Sequence, residues 1–547
     1  MSVVETPVPS IVAPAAGFAA RVDDWLERVG DRFNPIVVKE CRQALKSRQF
    51  FAGFVLTLGA CWIWSLAMTA DGDPSGRQGV RILCGYFAIL GFPLFVIVPF
   101  GAFRSLNLER DDKTFELLAV TTLRPSQIVL GKFVGAVVQV VLYVSATLPC
   151  FAFTGLLRGI DLPMMFYGLF YWIAHSLAFA CLGLMLGGLV RERFMQMPAT
   201  VVLLAAAFGV FILSINIADE FSIAGISRMM LDREFGAGNF GYVLAMLTSS
   251  ILFLTVATTQ VTFDGDNRST GPRIAAFAQF LCFLGWMTYF TWSMSQFDYV
   301  RDWIYRESCE MTVILSVLYW YAIGIFLTGE PERLSQRVKR ALPESAAGGA
   351  LLGAFYPGPG RGLLFAVGNV GAVCALVLIV NRLLPLPYNN FRQQSGSFGL
   401  FVVATWAYFT IYLGLGALAI RYLQLLIATN FILRVLIHLG VFFGSLLFSM
   451  LIADRSYGWN SPDVTLATLM NPFIALQNIL RYSTYEVGAY VVIGAAVLML
   501  LAHLPGLISE FRQERVSAPE RVLAEKLAAQ KPVVAGPTNP WDQPDDG

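Results

Sequence analysis

Charged residues are scarce in this sequence, and their scarcity excludes a water-soluble protein. They make up 14% of the 547 residues, whereas 56% are hydrophobic. A soluble domain carries about 25% charged residues. Because so little polar surface cannot cover a globule of this size, most apolar side chains must contact lipid. The formal net charge of +2 is also too small to attract nucleic acid. We therefore expect a polytopic membrane protein with no nucleic-acid partner.

Several recognisable chemical sites are also missing from the sequence. There is no phosphate-binding G-x-x-x-x-G-K-[ST] motif, because Gly131-Lys132 is followed by Phe133 and has no glycine five residues upstream. The eight cysteines form no C-x-x-C pair and have no histidine at metal-ligand spacing. Acidic residues are rare inside the apolar runs, which counts against a proton-coupled carrier. We expect no catalytic, metal or cofactor site in this chain.

Long apolar runs dominate what the sequence does contain. A membrane-spanning helix needs about 20 mainly apolar residues, and runs this long fit helices rather than the short strands of a barrel. Twelve runs qualify, at 51–69, 82–103, 128–156, 164–190, 198–217, 240–263, 274–294, 311–328, 363–384, 398–420, 431–453 and 488–507. The predicted fold class is an all-α membrane protein with about twelve transmembrane helices.

The distribution of Lys and Arg predicts the orientation of the chain. The loop at 329–361 carries Arg333, Arg337, Lys339, Arg340 and Arg361, whereas the next connection has only Arg392. Because basic loops stay in the cytoplasm and the number of spans is even, both termini are predicted to be cytoplasmic. The first fifty residues lack the apolar core and cleavage site of a signal peptide, so we expect the first span to direct insertion.

These patterns divide the chain into four parts. Residues 1–50 are a cytoplasmic segment, 51–263 a six-helix module with a cytoplasmic loop at 104–128, 264–508 a second six-helix region, and 509–547 a cytoplasmic, mostly disordered tail. Each half has a large cytoplasmic loop after its second span and a long outer loop before its sixth. The second region is therefore a candidate degenerate repeat of the first, although the halves share no clear residue-level similarity.

A basic amphipathic helix is predicted just before the first span. Asn34 can cap it, Pro35 suits its first position, and Lys39 and Arg42 alternate with apolar residues at helical spacing. Such a helix would lie in the headgroup plane, with its basic side chains toward phosphates. Two roles remain open for it, a basic anchor that fixes orientation and a working mechanical element.

The loop after the second span combines dense charge with an apolar patch. It contains Glu109, Arg110, Asp111, Thr114, Phe115, Glu116, Leu117 and Leu118. Thr114 can cap a short helix whose Phe115, Leu117 and Leu118 are too apolar for a solvated turn, and a proline-containing turn then returns the chain to the membrane. This pattern predicts a cytoplasmic helix that docks on a protein partner.

These two segments resemble those of the permease subunit of type-2 ABC exporters. The opening helix of that family is matched by Asn34, Pro35, Glu40 and Arg42. Its coupling segment is matched by Glu109, Arg110, Thr114, Glu116, Leu117, Leu118, Thr122, Leu123, Ile128, Val129, Leu130, Gly131 and Lys132. The resemblance covers roughly 34–263, and the chain departs from it at Lys113 and Arg124, where the family often has glycine and a small polar residue.

The resemblance implies a subunit that forms the translocation path but does not itself hydrolyse ATP. A separate ATP-binding subunit would bind and hydrolyse ATP, and residues from Glu109 to Leu118 would contact it, so the chain itself would be no enzyme and hold no cofactor. Its expected place is the cell membrane, the inner or plasma membrane of a bacterium, in contact with lipid. A true repeat would let one chain supply both transmembrane halves, whereas a single module would need a second permease copy. In this family the connection between the fifth and sixth spans, here 219–235, usually forms short re-entrant helices, and an ordinary interfacial loop is the alternative for this segment.

Two other classes of function remain open. An ion-coupled secondary transporter would also have about twelve spans. A membrane-embedded enzyme that modifies lipids or glycans would use the acidic outer loop with Asp298, Asp302, Glu307 and Glu310.

His175 and His438, which lie within spans, are expected to hydrogen-bond neighbouring helices rather than carry protons. Pro93 and Pro99 should kink the second span.

Overall fold

We analysed a computed structural model of the chain, which is helical throughout the part that it describes. The described residues are 35–71, 78–111, 124–155, 162–190, 193–224, 232–263, 265–294, 301–343, 348–349, 352–383, 397–427, 431–452, 463–513, 515–516 and 521. In the first part of the chain the helices are α1 (Pro35–Lys46), α2 (Arg48–Asp71), α3 (Gln78–Phe92), a π-helical turn (Pro93–Ile97), α4 (Val98–Asp111), α5 (Pro125–Gly155), α6 (Leu162–Leu189), α7 (Arg193–Ala224) and α8 (Arg233–Val261). They are followed by α9 (Thr270–Met294), α10 (Arg301–Leu327), α11 (Gln336–Arg340), a 3₁₀ turn (Gly353–Phe355), α12 (Pro359–Leu383), α13 (Phe398–Leu423), α14 (Phe431–Ile452), α15 (Leu466–Met470), α16 (Pro472–Arg481) and α17 (Tyr485–Phe511).

Among the described residues, twelve helical stretches are long and apolar enough to cross a membrane. The prediction of a multi-pass, all-helical membrane protein with about twelve spans is therefore confirmed. Four helices extend at least seven residues beyond the predicted apolar runs: α4 and α7 continue to Asp111 and Ala224, and α8 and α10 already begin at Arg233 and Arg301. Charged residues at a helix end that leaves the apolar layer still satisfy their backbone within the helix, which hydropathy alone does not detect.

The chain forms two compact units. Unit 1 comprises residues 1–263 and 275–296, and unit 2 comprises residues 264–274 and 297–547. The division falls within α9, whose first residues belong to unit 2 and whose remaining residues belong to unit 1.

The central helix of unit 1 is α6, which packs against α4 and α8 and also contacts α5 and α7. Two glycines allow α6 and α4 to approach closely. A Cβ atom added to Gly183 would lie 2.6 Å from the carbonyl oxygen of Pro99, and one added to Gly187 would lie 2.5 Å from that of Phe103. Small residues spaced four apart favour this close packing of helices in lipid, where dispersion rather than the hydrophobic effect joins them.

The second span of unit 1 is irregular at its prolines, where the π-helical turn Pro93–Ile97 interrupts the α-helix. In the π turn, the backbone N–H of Val98 donates to the carbonyl of Pro93. Pro99 cannot make the next bond in this register because it has no N–H. Instead, the hydroxyl of Ser176 on α6 donates to the carbonyl of Leu94 at 2.7 Å. A side chain of the neighbouring helix thus satisfies a backbone group that would otherwise be unpaired in an apolar environment.

The central helix of unit 2 is α13, which packs against α10, α12, α14 and α17. Before the last span, α15 and α16 form a short helical pair. Asn471 separates them and caps α16 by accepting the N–H groups of Phe473 and Ile474. Two tyrosines of α13 hold this pair, since Tyr408 donates to the carbonyl of Leu469 at 2.7 Å and Tyr412 to that of Met470 at 2.8 Å.

Candidate functional site

The helix that precedes the first span, α1, docks directly on the start of α5. Two glycines of α5, Gly131 and Gly135, lie one turn apart and face Ile36 and Glu40, which are one turn apart on α1. A Cβ atom on Gly131 would lie 2.6 Å from the side chain of Ile36, and one on Gly135 would lie 3.4 Å from Cβ of Glu40. The absence of side chains at both glycines therefore forms the groove that receives α1.

A buried ion pair joins three helices at this groove. The ammonium of Lys132 on α5 donates to Oε1 of Glu40 on α1 at 2.8 Å, and also to the carbonyl oxygen of Ser105 on α4 at 3.1 Å. The side chains of Lys132 and Glu40 are 1% and 11% exposed. A charge buried this deeply requires its partner, because either ion alone would keep its full desolvation cost.

The orientation of α1 differs in part from the sequence prediction. Lys39, Arg42 and Lys46 are exposed, as predicted for basic side chains that face headgroups, whereas Ile36 and Glu40 are the residues that become buried. Leu45, one of the apolar residues that alternate with the basic ones in this helix, is 41% exposed. The glycine groove of α5 determines which face docks, and a single helix's periodicity carries no information about that groove.

Cys41 lies beside the ion pair on α1. Burial, and secondarily the carboxylate of Glu40, raise the pKa of the Cys41 thiol. The thiol therefore stays protonated at neutral pH and behaves as a small packing side chain rather than as a nucleophile.

Only part of the predicted partner-contact loop lies among the described residues. Glu109, Arg110 and Asp111 belong to the last turn of α4, and nothing further is described of their side chains. Thr114, Phe115, Glu116, Leu117 and Leu118 lie outside the described residues, as does Asn34. Pro35, Lys39, Glu40 and Arg42 all lie on α1, as predicted.

The described helices on both sides of the 112–123 segment contact each other at Lys132. Ser105 lies six residues before the end of α4, and Lys132 lies seven residues after the start of α5. At about 1.5 Å per helical residue, Ser105 and Lys132 each lie about 10 Å along the helix axis from the helix end that borders the segment. A force on this segment would reach Glu40 through two short, regular pieces of helix.

Further along its length, α5 also contacts the first span. The hydroxyl of Tyr143 donates to the carbonyl of Phe50 on α2 at 3.3 Å, and the two rings meet edge to face with centroids 5.2 Å apart. Helix α5 therefore contacts both α1, which precedes the first span, and α2, which is the first span. A displacement of α5 would move the first span directly and also through α1.

The other candidate residues take part in local packing. Nδ1 of His175 hydrogen-bonds the carbonyl of Tyr171 at 2.7 Å, and its other nitrogen contacts the hydroxyl of Tyr242. Nε2 of His438 lies 3.2 Å from the hydroxyl of Thr328. Among the acidic outer residues, Glu310 accepts from Arg306 at 2.9 Å along the same helix, while Asp298 lies outside the described residues.

Sequence reasoning identified Glu40 and Lys132 separately and missed their pairing. The available signal was a lysine within the apolar run at 128–156, since such a charge needs a buried partner. Comparison with protein families, curated proteins and solved structures gives no match to this chain. The function is therefore argued from this geometry and from the motifs of the sequence.

Proposed function

We propose that the chain is the membrane subunit of an ATP-driven exporter and forms the translocation path of that exporter. A separate ATP-binding subunit docks on the 109–118 segment and supplies the energy. The chain resides in the cell membrane with both termini in the cytoplasm, as the basic loops favour.

The observation that carries this proposal is the three-way contact of Lys132. A translocation path that is driven by a separate ATP-binding subunit needs a mechanical connection between the docking segment and the membrane-spanning helices. The described helices on both sides of the 112–123 segment, α4 and α5, converge with α1 on one buried ammonium. Closure of a partner against this segment would move α4 and α5 together and displace α1 and α2 with them.

The first test is purification of the tagged chain from its native membranes in mild detergent, with mass spectrometry of the bound proteins. We expect a stoichiometric subunit that carries the phosphate-binding G-x-x-x-x-G-K-[ST] motif, which this chain lacks. Its repeated absence from a folded preparation would refute the proposal and favour a carrier or a membrane enzyme.

A charge reversal makes this test specific to the docking segment. Glu116→Lys should reduce the recovered ATP-binding subunit at least tenfold, which corresponds to about 1.4 kcal/mol of binding free energy. The matched control is Glu234→Lys, which reverses an exposed carboxylate in the first turn of α8. Equal recovery of the subunit with the Glu116 variant and with the control would contradict the assignment of this contact.

A further inference from the structure

The two units share one arrangement of helices. In unit 1 the second to sixth spans are α3–α4, α5, α6, α7 and α8, and in unit 2 they are α10, α12, α13, α14 and α17. The fourth span of each unit packs on its second, third, fifth and sixth spans, the second packs on the third and fifth, and the third packs on the sixth. The remaining pairs among these five make at most marginal contact in either unit, within the described residues.

This correspondence is more than a shared number of spans. Five helices can be joined in many ways, and here the same pairs pack and the same pairs stay apart. The sequences of the units diverge, but the pattern of packing is that of one module present twice. The first span is the exception, since α2 packs on α3 and α5, whereas most of α9 belongs to unit 1.

The connection between the second and third spans is anchored in the same manner in both units. In unit 2, Glu330 follows α10 and accepts the guanidinium of Arg273, at the start of α9, at 2.7 Å. It also accepts the N–H of Gly358, just before α12, at 2.8 Å. A buried ion pair thus joins the end of the second span, the start of the third and a preceding helix, as Lys132 does in unit 1.

A second carboxylate fixes the start of α12 in unit 2. Glu510, near the end of α17, accepts the N–H groups of Gly360 at 2.8 Å and Arg361 at 2.9 Å. Arg361 in turn donates to the carbonyl of Glu510 at 2.8 Å and is itself only 3% exposed. A carboxylate at a helix N-terminus pairs with backbone N–H groups that have no partner within the helix.

The described part of the connection between α10 and α12 has a buried side and an exposed side. Leu334, Val338 and Leu342 pack with Tyr356 in a small core of their own. Arg333, Gln336 and Arg337 point outward and are exposed. We call these three residues the 333–337 face. Arg337 pairs with Asp266 at 3.0 Å, but its side chain remains 66% exposed, so such a pair contributes little to stability.

We propose that the 333–337 face is a docking surface for a second ATP-binding subunit, one whose contacting surface is acidic. This inference rests on the proposed function, because it extends the contact of unit 1 to the equivalent position of unit 2. The position comes from the shared packing and the shared anchoring of the connection, and the sign of the partner's charge comes from Arg333 and Arg337. One chain then supplies both permease modules and binds two ATP-binding subunits.

Native mass spectrometry of the purified complex tests this stoichiometry. We expect two ATP-binding subunits for one chain. The double variant Arg333→Glu with Arg337→Glu should retain one subunit per chain, whereas Arg481→Glu, a reversal at an exposed arginine in the last turn of α16, should retain two. A photo-crosslinking amino acid that replaces Gln336 should capture an ATP-binding subunit, as should one that replaces Glu116.

The outcomes separate this inference from the proposed function. One ATP-binding subunit per chain, with crosslinks from position 116 and none from position 336, would overturn the inference and leave the proposed function intact. A double variant that keeps both subunits but loses co-purifying anionic lipid would also overturn it, because the face would then bind lipid. Complete absence of an ATP-binding subunit would refute both.

Discussion

Replacement of Glu40 by glutamine should release α1 from α5. The substitution leaves the ammonium of Lys132, whose side chain is 1% exposed, without its counter-charge but with the carbonyl of Ser105 and one amide oxygen as acceptors. Removal of one partner of a buried pair costs about 3–5 kcal/mol. Because the amide can still accept a hydrogen bond, we expect a cost near the lower end, about 3 kcal/mol, which corresponds to an approximately hundredfold change in an equilibrium.

Hydrogen exchange measures this change where it occurs. With the full chain in nanodiscs, backbone amides in the second half of α1 should exchange about a hundredfold faster in the Glu40→Gln variant, because local opening sets their protection. The amides of α13, in unit 2, should be unaffected. Glu234→Gln, at an exposed carboxylate of α8, is the matched control and should leave α1 unchanged.

A charge-free pair distinguishes electrostatics from simple packing. Glu40→Met combined with Lys132→Met removes both ions and should restore protection of α1 to within tenfold of the original chain, since apolar replacement of a buried pair is often neutral. An exchange rate in Glu40→Gln within threefold of the unchanged chain would refute the buried-pair reasoning. A double variant that exchanges as fast as the single variant would refute it equally.

Three further substitutions test the packing that surrounds this site. Gly131→Ala should loosen the docking of α1 at a cost of about 1–3 kcal/mol, because the added Cβ overpacks against Ile36. The control Gly101→Ala has no atom within 4 Å of the added Cβ and should be neutral or slightly stabilising. Hydrogen exchange of the α1 amides measures the difference between the two variants. Ser176→Ala should leave the carbonyl of Leu94 unpaired and lower the free energy of unfolding by about 1–3 kcal/mol. The control Ser145→Ala removes an exposed hydrogen bond within its own helix and should lower it by less than half as much. An SDS unfolding titration measures both values. Gly358→Ala should lower the thermal unfolding midpoint, because Gly358 has φ +140° and an added Cβ would lie 2.4 Å from the Glu510 carboxylate. The control Gly368→Ala has open space at its Cβ. An equal unfolding midpoint for the two variants would contradict the close approach of Gly358 to Glu510.

The spans were predictable from the sequence because each is a property of one segment. A run of about 20 apolar residues specifies a helix in lipid without reference to any neighbour. The start of α1 at Pro35 was likewise a local feature. What remained hidden depends on residues far apart in the chain: Glu40 and Lys132 are 92 residues apart, and Leu94 and Ser176 are 82 apart.

The arginines of the 329–361 loop illustrate a second limit of the sequence. Counted as topological signals, Arg337 and Arg361 are equivalent. In the folded chain Arg337 is exposed, whereas Arg361 is buried against Glu510, a residue 149 positions away. A charge count therefore predicts the side of the membrane but cannot distinguish a solvated arginine from one that holds two helices together.

The separation of Glu40 and Lys132 along the chain also sets an order for biosynthesis. A ribosome adds about 5–20 residues per second, so the 92 residues between these partners take roughly 5–20 s to appear. During this interval α1 has been made but its groove on α5 has not. The exposed basic residues of α1 suit it to a position at the headgroups during this interval, and its docking against Gly131 and Lys132 can follow only once the start of the third span has been made.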